Sequence, residues 1–306
     1  MSILGSRNRY ATRYRRPVRR RRWGSRYGGG WSRRGQARAP RTASSSGGVA
    51  SVARFGFAAR GVAFLILGIL GFLLAIGTAE HEPDPGGALA AVAEKPLGYL
   101  LLWILAFGFL ALAVWRGVQA ASAGRTYSGG HRLYAVVSGI TYALAFLVTL
   151  RFVVHGRLPA PSDAVARDLS ARVLSWDGGQ VVVLLAGIAL LAFGVWQTLR
   201  GLRLDFLDDL RMGWMTRGAR QAVVWLGRFG YAARGLIVIC LGFAATLAAL
   251  NYDPAEAKGI DAVLRDFAEK PFGPWLLILV SLGLMAFGLL SFLEARHRRT
   301  YGGVPV

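Results

Sequence analysis

The sequence predicts an all-α membrane protein: six transmembrane helices, arranged as three tandem two-helix hairpin repeats, behind a disordered Arg-rich N-terminal tail. Two recurring phrases and a set of apolar runs carry that prediction. RFGFAARG at 54–61 returns as RFGYAARG at 228–235, and EKPLG at 94–98 returns as EKPFG at 269–273. Both recur in the same order, 174 and 175 residues apart, which marks an internal duplication.

The spans come next. Runs at 61–79, 97–115, 133–150, 178–199, 235–252 and 272–293 hold 18 to 22 residues each, without Asp, Glu, Lys or Arg. A helix crossing a bilayer needs about 20 apolar residues. The composition agrees, with 54% hydrophobic and 17% charged residues and a mean hydropathy of +0.41. Single runs of this kind occur in soluble cores, but six evenly spaced ones predict a polytopic protein.

Orientation follows from the basic residues. The segments before span 1, between spans 2 and 3, between 4 and 5 and after span 6 carry 29 of the 37 Lys and Arg. The three opposite loops carry the other 8, and those after spans 1 and 5 are net acidic. Both termini are therefore expected in the cytoplasm, with the chain in a bacterial cytoplasmic membrane. The first apolar run is too long for a cleavable signal and reads as an uncleaved signal-anchor.

The tail, residues 1–48, holds fourteen Arg and no acidic residue, with Tyr and Trp interspersed. Such a segment cannot bury a core and is expected to be disordered. Three roles stay open: a polybasic anchor on anionic lipid headgroups, where each basic residue contributes about 1 kcal/mol; a solvated, topology-setting tail; and nucleic-acid contact, the least favoured because no folded reading element accompanies the charge.

The repeats divide the remainder into 51–125 (repeat 1), 131–202 (repeat 2, diverged), a cytoplasmic amphipathic loop at 203–227, and 228–300 (repeat 3). Gly61, Gly68 and Ala75 recur as Gly235, Gly242 and Ala249, a small residue every seven positions that predicts a close helix–helix seam. In repeat 2, Arg132 and Gly139 keep the register of Arg54 and Gly61, but Ser138 replaces the second arginine and Phe146 the second glycine. Three hairpins of this kind fit either a pseudo-threefold ring or a flat bundle.

The residues of the phrases are the candidate site. Arg54, Arg60, Arg228 and Arg234 are expected at helix entrances, with Arg60 and Arg234 in the first turn of their spans, snorkelling to lipid phosphates. The competing reading has these two turn inward, to helix-terminal carbonyls or to Glu294. Glu94 and Glu269 read as local ion pairs with Lys95 and Lys270, and Pro96 and Pro271 as first-turn residues of the returning spans. Segments 86–93 and 261–268 read as short outer helices whose apolar residues dip into the interface. Trp115 and Trp196 fit an aromatic belt.

The phrases R-x-G-[FY]-A-A-R-G and K-P-x-G, with the ending Ser291-Phe292-Leu293-Glu294-Ala295-Arg296, resemble the bacterial membrane family DUF1206. The resemblance covers about residues 51–300. Repeat 2 enters it through Gly139, Trp196 and the stretch Phe206-Leu207-Asp208-Asp209-Leu210. It implies three tandem two-helix repeats and no assigned activity.

Among function classes, an enzyme is not expected: the spans hold no acid, and His81, His131, His155 and His297 are scattered at boundaries. No cofactor or metal motif is present, and Cys240 stands alone in span 5. An ion-coupled transporter would need midplane ionisable groups. The favoured expectation is a structural, interaction or accessory membrane protein, as a homo-oligomer or with a membrane-protein partner. The alternative is a passive channel or small-solute permease lined by Ser138, Thr141, Thr149, Gln180, Gln197 and Ser281.

Overall fold

A computed structural model describes residues 46–122, 129–210, 215–269, 272–297, 300–301 and 304–305. The tail 1–45, Trp214, Lys270 and Pro271, and the side chains of Arg132, Asp208 and Asp209, lie outside the described residues. Six helices are long and apolar enough to cross a membrane: α1 (Ser46–Ala75), α3 (Gly98–Ser122), α4 (Gly129–His155), α6 (Gly179–Arg203), α7 (Arg217–Leu250) and α9 (Gly273–His297). Three shorter ones, α2 (Pro85–Ala93), α5 (Ser162–Leu174) and α8 (Ile260–Glu269), each link the two spans of one repeat. The protein is a multi-pass membrane protein of three helix–short helix–helix repeats.

The first phrase lies within its helices rather than at their entrances. α1 begins fourteen residues before Arg60, and α7 begins seventeen residues before Arg234, so neither arginine stands in a first turn. Nothing in 46–60 or 217–234 breaks a helix: proline is absent and Thr216 caps α7 by accepting a hydrogen bond from the Ala219 N–H. The charge-free runs delimit the apolar part of each helix, not the helix itself.

The second phrase builds a corner. Lys95 O accepts the Gly98 N–H at 2.8 Å, with Pro96 at the second position of the turn and Leu97 at φ 64°. Pro96 is thus a turn residue and precedes α3, contrary to the first-turn expectation. Repeat 2 makes the same turn with other residues, Trp176 O accepting the Gly179 N–H at 2.9 Å and Gly178 at φ 81°. Phe272, at φ 64°, holds that position in repeat 3. The glycine that follows is obligatory: a Cβ at Gly98, Gly179 or Gly273 would overlap the carbonyl oxygen of Val92, Val173 or Phe267. Leu97 and Phe272 keep their left-handed backbone while pointing outward, 78% and 85% exposed.

The repeats interlock. The extensive seams are α1 with α9, α3 with α4, and α6 with α7, each joining the second span of one repeat to the first span of another. Two of them run on the predicted glycine stripe. A Cβ on Gly61 would stand 2.9 Å from Gly288 O, and one on Gly68 2.8 Å from Ser281 O. On the other seam, Gly235 and Gly242 face Gly194 O at 2.8 Å and Gly187 O at 2.9 Å. The seam between α3 and α4 is looser, since a Cβ on Gly139 would meet Arg116 Cβ at 3.3 Å and Ala113 O only at 3.9 Å. Within a repeat, α1 packs on α3 and α7 on α9, whereas α4 and α6 form no comparable seam. The result is a pseudo-threefold ring with its weak side at repeat 2. Only 11% of the α4 apolar window and 22% of that of α6 are buried, against 39–50% in the other four.

The short helices tie one end of the ring together. Asp84 caps α2 by accepting the Gly87 N–H at 2.6 Å, and its other oxygen accepts the Ser162 N–H at 2.9 Å. Ser162 Oγ donates to Asp261 Oδ1 at 2.5 Å and accepts the Ile260 N–H at 3.0 Å, while Asp163 accepts the Gly259 N–H at 3.2 Å. Each repeat contributes one member of this knot. The apolar sides of α2 and α8 face inward, with Leu89, Val92, Val263 and Leu264 buried, so these residues plug the ring instead of dipping into lipid. α5 fills the outer segment of repeat 2, which lacks the Glu-Lys-Pro phrase that marked the corner in the other copies.

At the opposite end, the described part of the amphipathic loop 203–227 packs onto the bundle. Phe206, Leu210 and Met215 are buried with Val223, Tyr231, Phe287 and Leu290, and Gly227 lies directly under the Phe206 ring.

The unequal seams set a stability difference. Gly235→Ala forces its methyl onto the backbone of α6 and is expected to cost about 1–3 kcal/mol, the usual penalty of overpacking. Gly139→Ala meets only Arg116 Cβ at 3.3 Å, a crowding of a few tenths of an ångström, and it removes a helix-interior glycine worth about 0.5–1 kcal/mol, so it is expected to cost clearly less than Gly235→Ala. Denaturation of both variants in detergent, followed by tryptophan fluorescence, checks the ranking.

Candidate functional site: an arginine–aromatic girdle and a blind cavity

The end of the bundle that holds the first phrase is the basic end. There each of the three seams carries one guanidinium between aromatic rings from both sides. Arg116 Cζ lies 4.4 Å from the Trp115 centroid on α3 and 4.8 Å from Tyr134 on α4. Arg200 lies 5.4 Å from Trp196 on α6 and 5.9 Å from Tyr231 on α7. Arg60 lies 5.0 Å from Phe287 on α9 and 4.6 Å from Phe57 on α1. Phe57–Trp115, Tyr134–Trp196 and Tyr231–Phe287 contacts, at 5.0, 5.6 and 5.2 Å, join the three units into a closed girdle. Desolvated cation–π contacts contribute up to about 2 kcal/mol each.

The girdle explains the serine of repeat 2. Counted from Gly98, Gly179 and Gly273, the equivalent positions on the second spans are Arg116, Gln197 and Ser291, then Gln119, Arg200 and Glu294. The seam whose α4 position is Ser138 takes an arginine from α3 instead: Arg116, which also donates to Gln119 Oε1 at 2.9 Å. On the seam between α6 and α7, Arg200 occupies the sandwich, and Arg234 is displaced from it.

Arg60 and Glu294 form a buried ion pair, 3% and 2% exposed, in which Arg60 Nη2 donates to Glu294 and Nε to Ser291 Oγ at 3.1 Å. Ser291 Oγ in turn donates to Phe287 O at 2.9 Å. The inward reading therefore holds for Arg60, and the snorkelling one fails, because Gly61 brings α9 close enough for Glu294 to reach it. Glu294 is the one acidic side chain in the six spanning helices. Arg234, half-buried, also turns inward, with Cζ 5.1 Å from Phe287 and 5.4 Å from Phe64, and has no carboxylate partner among the described residues. Arg54 is exposed, and Arg228 stacks on Trp225 at 5.8 Å.

Arg60, Ser138 and Arg234, the three equivalent positions of the repeat, line one cavity of about 440 Å³. Its long wall is one face of α4, from Val137 and Ser138 through Thr141, Tyr142 and Ala145 to Val148 and Thr149. Phe64, Leu67, Leu105, Phe109 and Phe193 form the other walls, and Pro85, Ala88, Leu89 and Ile260 the floor. Two threonines of α4 are satisfied within their own helix, Thr141 donating to Val137 O at 2.9 Å and Thr149 to Ala145 O at 2.8 Å. The volume falls in the usual small-molecule range of about 300–1,000 Å³.

Other sequence candidates lie elsewhere. Gln197 and Ser281 are buried in seams, and Gln180 donates to Ala249 O at 2.9 Å, so the six polar residues do not form one path. Glu94 approaches His81 Nε2 at 3.0 Å rather than Lys95; Lys95 and Glu269 are exposed. Trp115 is buried and Trp196 belongs to the girdle, so neither serves simply as a membrane belt. Carboxylate oxygens of Glu82, Asp84 and Asp261 lie within 4.8 Å of one another, but Asp84 and Asp261 hold the knot and Glu82 accepts from Arg265 at 2.5 Å. The girdle itself was not read from the sequence; the +18 and +21 offsets from the corner glycines are the signal that would have revealed it.

A buried pair loses most when one partner is removed. Glu294→Gln is expected to destabilise the protein by about 3–5 kcal/mol, and the double replacement Arg60→Met with Glu294→Met to recover most of that loss. Denaturant titrations of the single and double variants measure the coupling.

The model of the family DUF1206, a domain of unknown function, matches residues 55–123, 134–203 and 229–298. The chain is 28% identical over 250 residues to the uncharacterized protein YxxB of Bacillus subtilis (strain 168), an alignment covering 80% of this chain and 90% of that one. No solved structure matches. With three tandem matches spanning most of its length, on the helix pairs that build the ring, the chain belongs to the DUF1206 family.

Proposed function

We propose that this protein is a non-enzymatic component of the cytoplasmic membrane that holds a molecule drawn from the bilayer, in a structural or accessory role rather than as a conduit. The observation that carries this reading is the blind cavity: α2 and α8 form its floor, and the Asp84–Ser162–Asp261 knot locks those helices together. A path for solutes would have to break that knot.

In this reading the basic end faces the cytoplasm, as the 29 to 8 distribution of Lys and Arg favours. The knot then faces outward. The basic flanks contact anionic headgroups, and the exposed apolar faces of α4 and α6 meet lipid, a second copy or another membrane protein.

Proteoliposomes test the conduit alternative. Glycerol-driven swelling and potassium diffusion potentials are expected to match those of protein-free vesicles. A flux that Ser138→Trp abolishes would overturn the proposal in favour of a permease. Orientation is checked with Glu256→Cys in a Cys240→Ala background: an impermeant maleimide is expected to label intact cells, and labelling only after permeabilisation reverses the topology.

A further inference from the structure

We infer that the cavity takes an anionic amphiphile, with one acyl chain along α4 and an acidic headgroup on Arg234. This rests on the reading of the cavity as a binding site and specifies its ligand. Three observations carry it.

The first is charge. Arg60, Arg116, Arg200 and Arg234 all reach the basic end of the bundle, and Glu294 is the one acidic residue that the spanning helices bring there. Arg60 spends its charge on that carboxylate. Arg234 lines the cavity half-buried, against Phe64 and Phe287, with no carboxylate partner among the described residues. An uncompensated cation in a low-dielectric wall favours an anion at that spot, and a guanidinium fork matches phosphate or carboxylate oxygens.

The second is shape. From Val137 to Thr149 the α4 wall runs twelve residues, about 18 Å at 1.5 Å per residue. That is slightly more than one leaflet of a ~30 Å hydrocarbon core. Beyond Arg60, Arg234, Ser138 and Tyr142 the walls are largely apolar, and the Thr141 and Thr149 hydroxyls are bonded to their own helix, so the deep part suits a chain and not a polar solute.

The third is access. α4 and α6 lack the seam that closes the ring elsewhere, and Val137, Leu144 and Val148 on the cavity wall remain solvent-accessible in the isolated protein. The molecule enters from the bilayer between these helices. Ser138 matters here, because an arginine at this position would fill the cavity mouth and add a third charge to Arg60 and Arg234.

The shared chemistry is an acid on an acyl chain, whether a phosphodiester lipid or a free fatty acid. Native mass spectrometry of the full-length protein, delipidated in detergent, separates the two with dioleoylphosphatidylglycerol and palmitate as probes and dioleoylphosphatidylcholine and hexadecanol as controls. At least one acidic probe is expected to bind tenfold or more above its control. Arg234→Gln should remove that preference, Arg234→Lys should restore part of it, and Ser138→Trp should reduce chain binding altogether. Unchanged elution on size exclusion keeps folding apart from binding. Equal retention of acidic and neutral probes overturns the proposal, as does an undiminished preference in Arg234→Gln. So does a preference lost only in Arg151→Gln/Arg157→Gln, which alters the adjoining depression at the far end of α4. Absent flux with no acidic preference would leave the binding role standing and remove this ligand class, so the two readings fail separately.

Discussion

Positive charge inside a membrane-spanning bundle is the constraint to which the rest of this structure answers. Four arginines enter the ring from α1, α3, α6 and α7, while the spanning helices themselves supply one acid, Glu294, which pairs with Arg60. Aromatic faces share the work, and at each seam one guanidinium lies against rings from both sides. This solution demands that helices from different repeats approach closely, because a guanidinium must reach rings on both sides of its seam. Glycines at 61, 194, 235 and 288 supply that approach, and they sit within one turn of the arginines or of the rings. Packing and electrostatics are therefore one design here: widening a seam with a methyl group would also pull an arginine from its sandwich.

The middle repeat obeys the same constraint with its parts exchanged. The arginine of its seam with repeat 1 comes from α3, as Arg116, its own first-span position is Ser138, and its second glycine is Phe146. The exchange keeps the girdle intact and loosens the seam between α3 and α4, and α4 remains the least buried of the spans. Divergence of one copy opens a side without disturbing the knot at the far end, where Ser162 still bridges Asp84 and Asp261.

Most of the architecture was legible in the sequence because duplication and hydropathy are local signals. The spans, the outer helices α2 and α8 and the glycine seam all follow from spacing within one segment. What escaped depends on partners distant in the chain. Arg60 read as a snorkelling residue because its charge lies at the edge of an apolar run, yet Glu294, 234 residues away, holds it inside. Trp115 and Trp196 read as belt residues for the same reason: position along a helix is visible, but the face presented to a neighbouring repeat is not. α5 was missed because its sequence, rich in Asp, Ser and Arg, shares no phrase with the other outer helices, although Ser162 and Asp163 do their work through side chains and not through pattern.

The cavity joins these threads. Its polar rim consists of the three positions that the repeat makes equivalent, Arg60, Ser138 and Arg234, and their differing fates define what the space can accept. Arg60 is neutralised by a partner on α9, Ser138 is small, and Arg234 is left facing an apolar volume. Had all three remained arginine, repulsion among them would have required more acids or forced the helices apart. Had all three become apolar, nothing would orient a guest. One neutralised, one removed and one retained charge leave a cationic point at the mouth of an apolar slot, and it is that asymmetry on which the proposed binding of an acidic guest rests.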